Sequence, residues 1–205
     1  MKTGPKIELG VLKRSVSEIE RRFLKPHLAS APSLKPPTRG EQLDVAAYIV
    51  LTHGAIENFV EGLALWVLAR SVANWTTRKR VTRATASILL AQSQPVAPDG
   101  PQLVFDILRT ALDEAKKNIS RDINENNGIS TRHLRSLFYP IGVDVPNDPV
   151  LVGSLELVIA IRHEWAHRSR FGASVPKSAK DAHNAVSDCI KLAEKLAEAA
   201  SALKP

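Results

Sequence analysis

From Glu41 to about Asn74 the apolar residues return at steps of three and four, as in Leu43, Ala47, Val50, Ile56, Phe59 and Leu63. That period belongs to a helix and not to a strand, so the stretch predicts one helix, the longest element of the chain. A helix of that length spans about 50 Å and hides its apolar side only if other helices lie along it. It does not read as a membrane span, because Val45–Ala73 contains Glu57, Glu61 and Arg70 together with His53 and Asn58. Aromatic residues are only 5% of the chain while apolar residues are 44%, which favours helices over a β-sandwich.

The rest of the chain supplies the covering helices. Residues 5–29 alternate charge with Ile7, Val11, Ile19, Phe23 and Leu24, enough for an amphipathic first helix. Four breakers within Ser30–Gly40 then predict a linker, so residues 1–40 read as a basic helix with a proline-rich tether and 41–205 as the main domain. Short helices are expected over 79–92 and 130–138, and a longer one over 103–126 that stops at Asn127-Gly128. Tyr139–Pro149 reads as a loop, Asn147 or Asp148 as the cap of a helix reaching Arg168, and Pro176 as the first turn of a last helix ending near Leu203. Such a set of helices predicts an all-α antiparallel bundle.

Charge points to the partner. Residues 1–40 hold nine Lys or Arg against three Glu, and Arg78, Lys79, Arg80 and Arg83 follow with no acid among them, within a net charge of +7. Patches of this kind suit a phosphate backbone, so the second cluster is a candidate RNA-binding track. No apolar h-region follows the charged start before Glu8, so no secretory signal is expected and the chain is expected in the cytoplasm. The lone Cys189, set among small and aliphatic residues, suits a buried position better than a nucleophilic one.

The chemistry is concentrated in Arg162-His163-Glu164-Trp165-Ala166-His167, at the polar end of an apolar helix. Arg162 offers a permanent cation and His167 a group that titrates near neutral pH. Cleaving RNA without a metal needs those two things: a proton carrier for the ribose 2′-hydroxyl or the leaving oxygen, and a cation for the phosphate.

Arg162, the polar His163, the small Ala166 and His167 together resemble the signature of the HEPN domains (higher eukaryotes and prokaryotes nucleotide-binding), which is Arg, four to six residues, then His. His53-Gly54-Ala55-Ile56-Glu57-Asn58-Phe59-Val60-Glu61 is similar to the early bundle helix of several bacterial members, and the resemblance covers roughly residues 42–203. It implies a helical bundle that dimerises so that two Arg/His motifs line one cleft. It further implies a ribonuclease, often a toxin or antiviral-defence effector with an antitoxin or system partner, that leaves a 2′,3′-cyclic phosphate. Inactive members bind RNA or a protein only. His163 stands where Asn is commoner, and Phe171 follows in place of the Tyr of one toxin branch.

Two features of the residues qualify the picture. Positions five apart lie about 140° apart on a helix, so either the helix unwinds by Arg168 or Arg162 and His167 are completed across a dimer. His163 and His167 do share a face, and His163-Glu164-Trp165-Ala166-His167 also spells the zinc-peptidase pattern. That alternative needs a third ligand, for which His183, Asp188 and Glu194 are candidates by elimination only, and the ribonuclease reading requires neither metal nor cofactor. Around the motif, Glu57 is a candidate to orient Arg162 or a histidine, and His53 reads as a core histidine. Trp165 and Arg168 are candidates for stacking a base and holding a phosphate, while Trp66 and Trp75 read as core or interface anchors.

Overall fold

A computed structural model describes residues 4–28, 37–91, 104–168 and 178–203, with the side chains of 166–168 excepted. Among the described residues the chain is all-α, without strands. The helices are α1 (Pro5–Phe23), α2 (Lys25–Leu28), α3 (Arg39–Arg78), α4 (Arg83–Leu90), α5 (Val104–Asn124), α6 (Thr131–Phe138), α7 (Pro149–Arg168) and α8 (Ala179–Ala202). None of them is long and apolar enough to cross a membrane.

Local chemistry explains where these helices begin and end. The helix expected over 5–29 breaks at Leu24, because Pro26 has no N–H and its ring crowds the carbonyl four residues back. The helix expected over 79–92 starts later, at Arg83. Lys79 closes α3 in a left-handed conformation (φ 51°), and Thr82 caps α4 by accepting from the Thr85 N–H at 3.2 Å. Ser130 caps α6 in the same way, and Asp148 caps α7 by accepting from Val150 N–H at 3.1 Å. Ser178 accepts from Asp181 N–H at 3.1 Å at the start of α8, whereas the expected start at Pro176 lies outside the described residues. Most of the expected linker, and Phe171, lie outside them too. Within the expected loop after α6, Tyr139–Ile141 form a 3₁₀ turn.

The chain divides into two compact units. The first joins Val60–Pro146 to the two chain ends, Met1–Lys6 and Lys195–Pro205, and buries Leu63 and Val67 of α3, Ile88 of α4, Leu112 of α5 and Phe138 of α6. Gly142 (φ 76°) ends the 3₁₀ turn against α4, where an added Cβ would lie 2.8 Å from Ser87 Oγ and 3.2 Å from Ala84 Cα. A side chain there would force the turn off the helix, which is why the position takes glycine.

The second unit, Ile7–Phe59 with Asn147–Glu194, carries the Arg/His motif. Its buried residues include Leu12 and Val16 of α1, Ile49 and Ile56 of α3, and Leu155 and Val158 of α7. Lys13 and Glu20 of α1 pair with Glu194 and His183 of α8. Ser154 of α7 donates to Asp188 of α8 at 2.9 Å, and Lys191 donates to the other oxygen of Asp188 at 2.9 Å. The Lys191 ammonium, helped by Ser154, holds this carboxyl below its ordinary range. Cys189 is 1% exposed, and burial followed by the Asp188 charge pushes its thiol up to about 12, so it is a core residue and not a nucleophile.

Candidate active site

The apolar stripes of α3 and α7 decide what meets at the motif. On α7, Leu151, Leu155 and Val158 are buried at steps of four and three, and Arg162 continues that row one turn beyond Val158. It therefore leaves the helix on the side that faces the unit's interior and is half-buried, while the adjacent His163 is exposed. On α3, Ile49 and Ile56 are buried on the stripe that also holds His53, which is 3% exposed. Glu57 follows one turn later and brings Oε2 to 3.9 Å from His53 Nδ1. The separation is longer than a hydrogen bond but within electrostatic range.

Arg162 and His53 sense each other. Burial, with the Arg162 charge second, lowers His53 from 6.5 to about 4. Below the surface, and beside a guanidinium that cannot lose its proton, the imidazole is neutral throughout the physiological range. A neutral neighbour leaves the charge of Arg162 undiminished for another anion, and Arg162 forms no ion pair with a described residue. Reading His53 as a core histidine gave its burial correctly but missed Arg162 as its neighbour. The helical step from Ile49 to His53 was the available signal, since it places a titratable group on a core stripe.

The backbone of α7 stays helical through Arg168, so it does not unwind between Arg162 and His167, and the two residues keep their angular separation of about 140°. His167 and Arg168 lie in the last turn of α7, and their side chains are outside the described set. Glu164 and Trp165 are half-buried. Of the three candidates for a third zinc ligand, Asp188 is bonded to Ser154 and Lys191 and Glu194 is paired with Lys13, while His183 Nδ1 lies 3.6 Å from Glu20 without a hydrogen bond. Among the described residues no group of three potential metal ligands comes together.

The basic cluster lies in the first unit. Arg78, Lys79, Arg80 and Arg83 are all exposed. Arg83 is held by Asp144 at 2.7 Å, and Lys79 sits 4.8 Å above the ring of Phe105, which itself stacks on Trp75. Arg78 and Arg80 form no ion pair with a described residue. Trp75 is buried, as a core anchor should be, and Trp66 is half-buried.

An all-α chain that carries Arg162 on a core-facing stripe and His167 in the last turn of α7 agrees with a match to the RiboL-PSP-HEPN family over residues 17–202. The chain belongs to this family. The match takes in α3, α7 and α8 in full, and with them every motif residue and the His53–Glu57 turn. No curated protein and no solved structure matches the chain. HEPN domains are commonly ribonucleases and often bind RNA and dimerise.

Proposed function

We propose that this HEPN protein is a metal-independent endoribonuclease of the cytoplasm, acting as a toxin or antiviral-defence effector under the control of an antitoxin or system partner. The observation that carries the reading is Arg162: a half-buried guanidinium on the core-facing stripe of α7, with no ion pair to a described residue and a neutral imidazole beside it. Burying a cation without a counter-charge is costly, and a phosphate group of the substrate would supply that charge.

In this mechanism Arg162 grips the non-bridging oxygens of the scissile phosphate through two parallel N–H donors and stabilises the charge that accumulates there. The ribose 2′-oxygen attacks phosphorus, its proton leaves to a base, and the 5′-oxygen departs as it gains a proton. The products are a 2′,3′-cyclic phosphate and a 5′-hydroxyl. His167 is the group that exchanges one of these protons near neutral pH. Glu57 orients His53, His53 neighbours Arg162, and exposed His163 lines the approach. Trp165 and Arg168 contact the RNA beside the cut, and Arg78, Lys79, Arg80 and Arg83 are further RNA-binding residues.

The continuous helix from Arg162 to His167 supports completion of the site by a second copy, with two motifs lining one cleft. The test is incubation of purified protein with mixed RNA in excess EDTA, with analysis of the new 3′ ends. Cleavage to cyclic phosphates should persist, and Arg162→Lys should slow it by about a hundredfold or more, because an ammonium cannot reproduce the two-pronged contact. Cleavage that stops in EDTA, or an Arg162→Lys protein of wild-type rate, would overturn the reading.

A further inference from the structure

The first unit carries a surface pocket of about 550 Å³ between α4, α6 and the 3₁₀ turn, lined by Ser87, Leu90, Arg135, Ser136, Tyr139 and Pro140, with Ala91 at its edge. It is a shallow, wide-open depression, suited to a ligand that lies across the surface. We propose that this pocket is a single-stranded RNA subsite in which the ring of Tyr139 stacks a base and Arg135 holds a neighbouring phosphate. The proposal rests on the reading that RNA is the ligand of this protein, and it adds a recognition site within the first unit.

Three observations carry it. The first is the mounting of the ring. Tyr139 is 53% exposed, yet its backbone is fixed between Phe138, which is 0% exposed, and Pro140, whose ring restricts the next torsion. Gly142 closes the turn against Ser87 and Ala84, which ties this mount to α4. A lone exposed tyrosine needs no ligand; one that lines a depression from a fixed backbone offers its ring face to a flat partner.

The second is charge. The stretches 77–91 and 126–143 hold Arg78, Lys79, Arg80, Arg83, Arg132 and Arg135 and neither Asp nor Glu. These stretches supply every residue that lines the pocket. Asp144, just beyond them, pairs with Arg83 and takes that cation out of the sum, which leaves Arg78, Lys79, Arg80, Arg132 and Arg135. A lining that holds Arg135 and no acid, on stretches that are basic overall, complements a polyanion, whereas an acidic or neutral peptide would need only part of it.

The third is the polar equipment. Arg135 is exposed and forms no ion pair with a described residue, so its guanidinium is available to a phosphate. Ser136 donates its hydroxyl proton to the His133 carbonyl at 2.8 Å, which leaves the oxygen lone pairs to accept from a base N–H. Leu90, 84% exposed, offers an apolar edge to the same base.

The experiment is fluorescence anisotropy with a 3′-fluorescein-labelled twelve-nucleotide single-stranded RNA and with the same backbone lacking its bases. It is run on the full chain carrying His167→Ala so that the probe stays intact. Tyr139→Ala should weaken binding of the base-containing strand by about tenfold, as expected for one lost stacking contact, while Tyr139→Phe should bind as before. Arg135→Ala should reduce the slope of log affinity against log salt by about 0.7, and Arg135→Lys should restore it.

The inference is overturned if Tyr139→Ala and Arg135→Ala bind as tightly as the parent, if Tyr139→Phe loses as much as Tyr139→Ala, or if the base-free backbone binds equally well. A Tyr139→Ala change that alters the oligomeric state and not RNA affinity would make the pocket a protein interface and overturn it as well. The underlying reading fails separately. If Tyr139-dependent binding is seen but the protein with His167 restored leaves the RNA uncut, the subsite stands and the ribonuclease does not. If the RNA is cut but binding ignores Tyr139 and Arg135, the reverse holds.

Discussion

His53 makes the stability of this fold depend on pH in a direction that can be worked out beforehand. Its imidazole is 3% exposed and is lowered to about 4 by burial and then by the charge of Arg162, whereas in the unfolded chain it titrates near 6.5. Between those values the unfolded chain binds the extra proton and the folded chain does not, so stability rises with pH across the window and is lost as pH falls from 6.5 towards 4. The linkage relation gives a loss of about 2 kcal/mol between pH 7 and pH 5, with a ceiling of roughly 3 kcal/mol below pH 4. Urea unfolding of the wild type and of His53→Gln at pH 7, 6 and 5 measures it. Contributions common to both proteins cancel, so the difference between the two curves isolates His53. The wild type should lose about 2 kcal/mol more than the variant over that range, and Arg162→Gln should narrow the gap because it removes the second cause of the lowering. Parallel curves would refute the placement of a neutral imidazole beside Arg162.

Further outcomes follow from the packing and the motif. Gly142→Ala should cost about 1–3 kcal/mol in urea unfolding, from a left-handed backbone (φ 76°) and a Cβ 2.8 Å from Ser87 Oγ; an unchanged midpoint would mean that α4 is not seated on that turn. Leu155→Ala should cost about 2–5 kcal/mol, because Leu155 is 1% exposed on the stripe that aims Arg162, and a loss well under 1 kcal/mol would place that stripe outside the core. Light scattering at micromolar concentration should give a dimer, and a strict monomer that still cuts RNA would remove the composite-site argument. Metal analysis of fresh protein should find no stoichiometric zinc; about one zinc per chain, lost on His163→Ala, would favour the hydrolase alternative.

Most of the fold was legible because period and breakers act locally. The helical period of residues 41–74 and the caps at Ser130 and Asp148 each depend on a few neighbouring residues, whereas Leu43 is 42% exposed, the buried side there running through Val45, Ile49 and Ile56, and the break before Arg83 falls inside the helix expected over 79–92. What the sequence could not supply is which long-range partners those elements find. Arg83 reads as a free cation in its run of basic residues, yet Asp144, 61 positions away, neutralises it. Lys79 reads as helical, yet it turns left-handed and leans over Phe105. At the motif the residue types were legible from spacing alone, while the neighbourhood of His53 and Arg162 required α3 and α7 to be packed together. The contacts of Asp188 with Ser154 and Lys191, and of Glu194 with Lys13, came from packing as well.

The central claim is that Arg162 and His167 cleave RNA without a metal, and one comparison tests it most directly. Wild-type protein, His167→Ala and Glu164→Gln, each shown to be folded by circular dichroism, are incubated with the same RNA in EDTA and their initial rates compared. Removing a positioned proton carrier lowers a rate by about a hundredfold to ten-thousandfold, so His167→Ala should be nearly silent while still binding RNA, and Glu164→Gln should retain activity. A folded His167→Ala protein that cuts RNA at the wild-type rate would contradict the account.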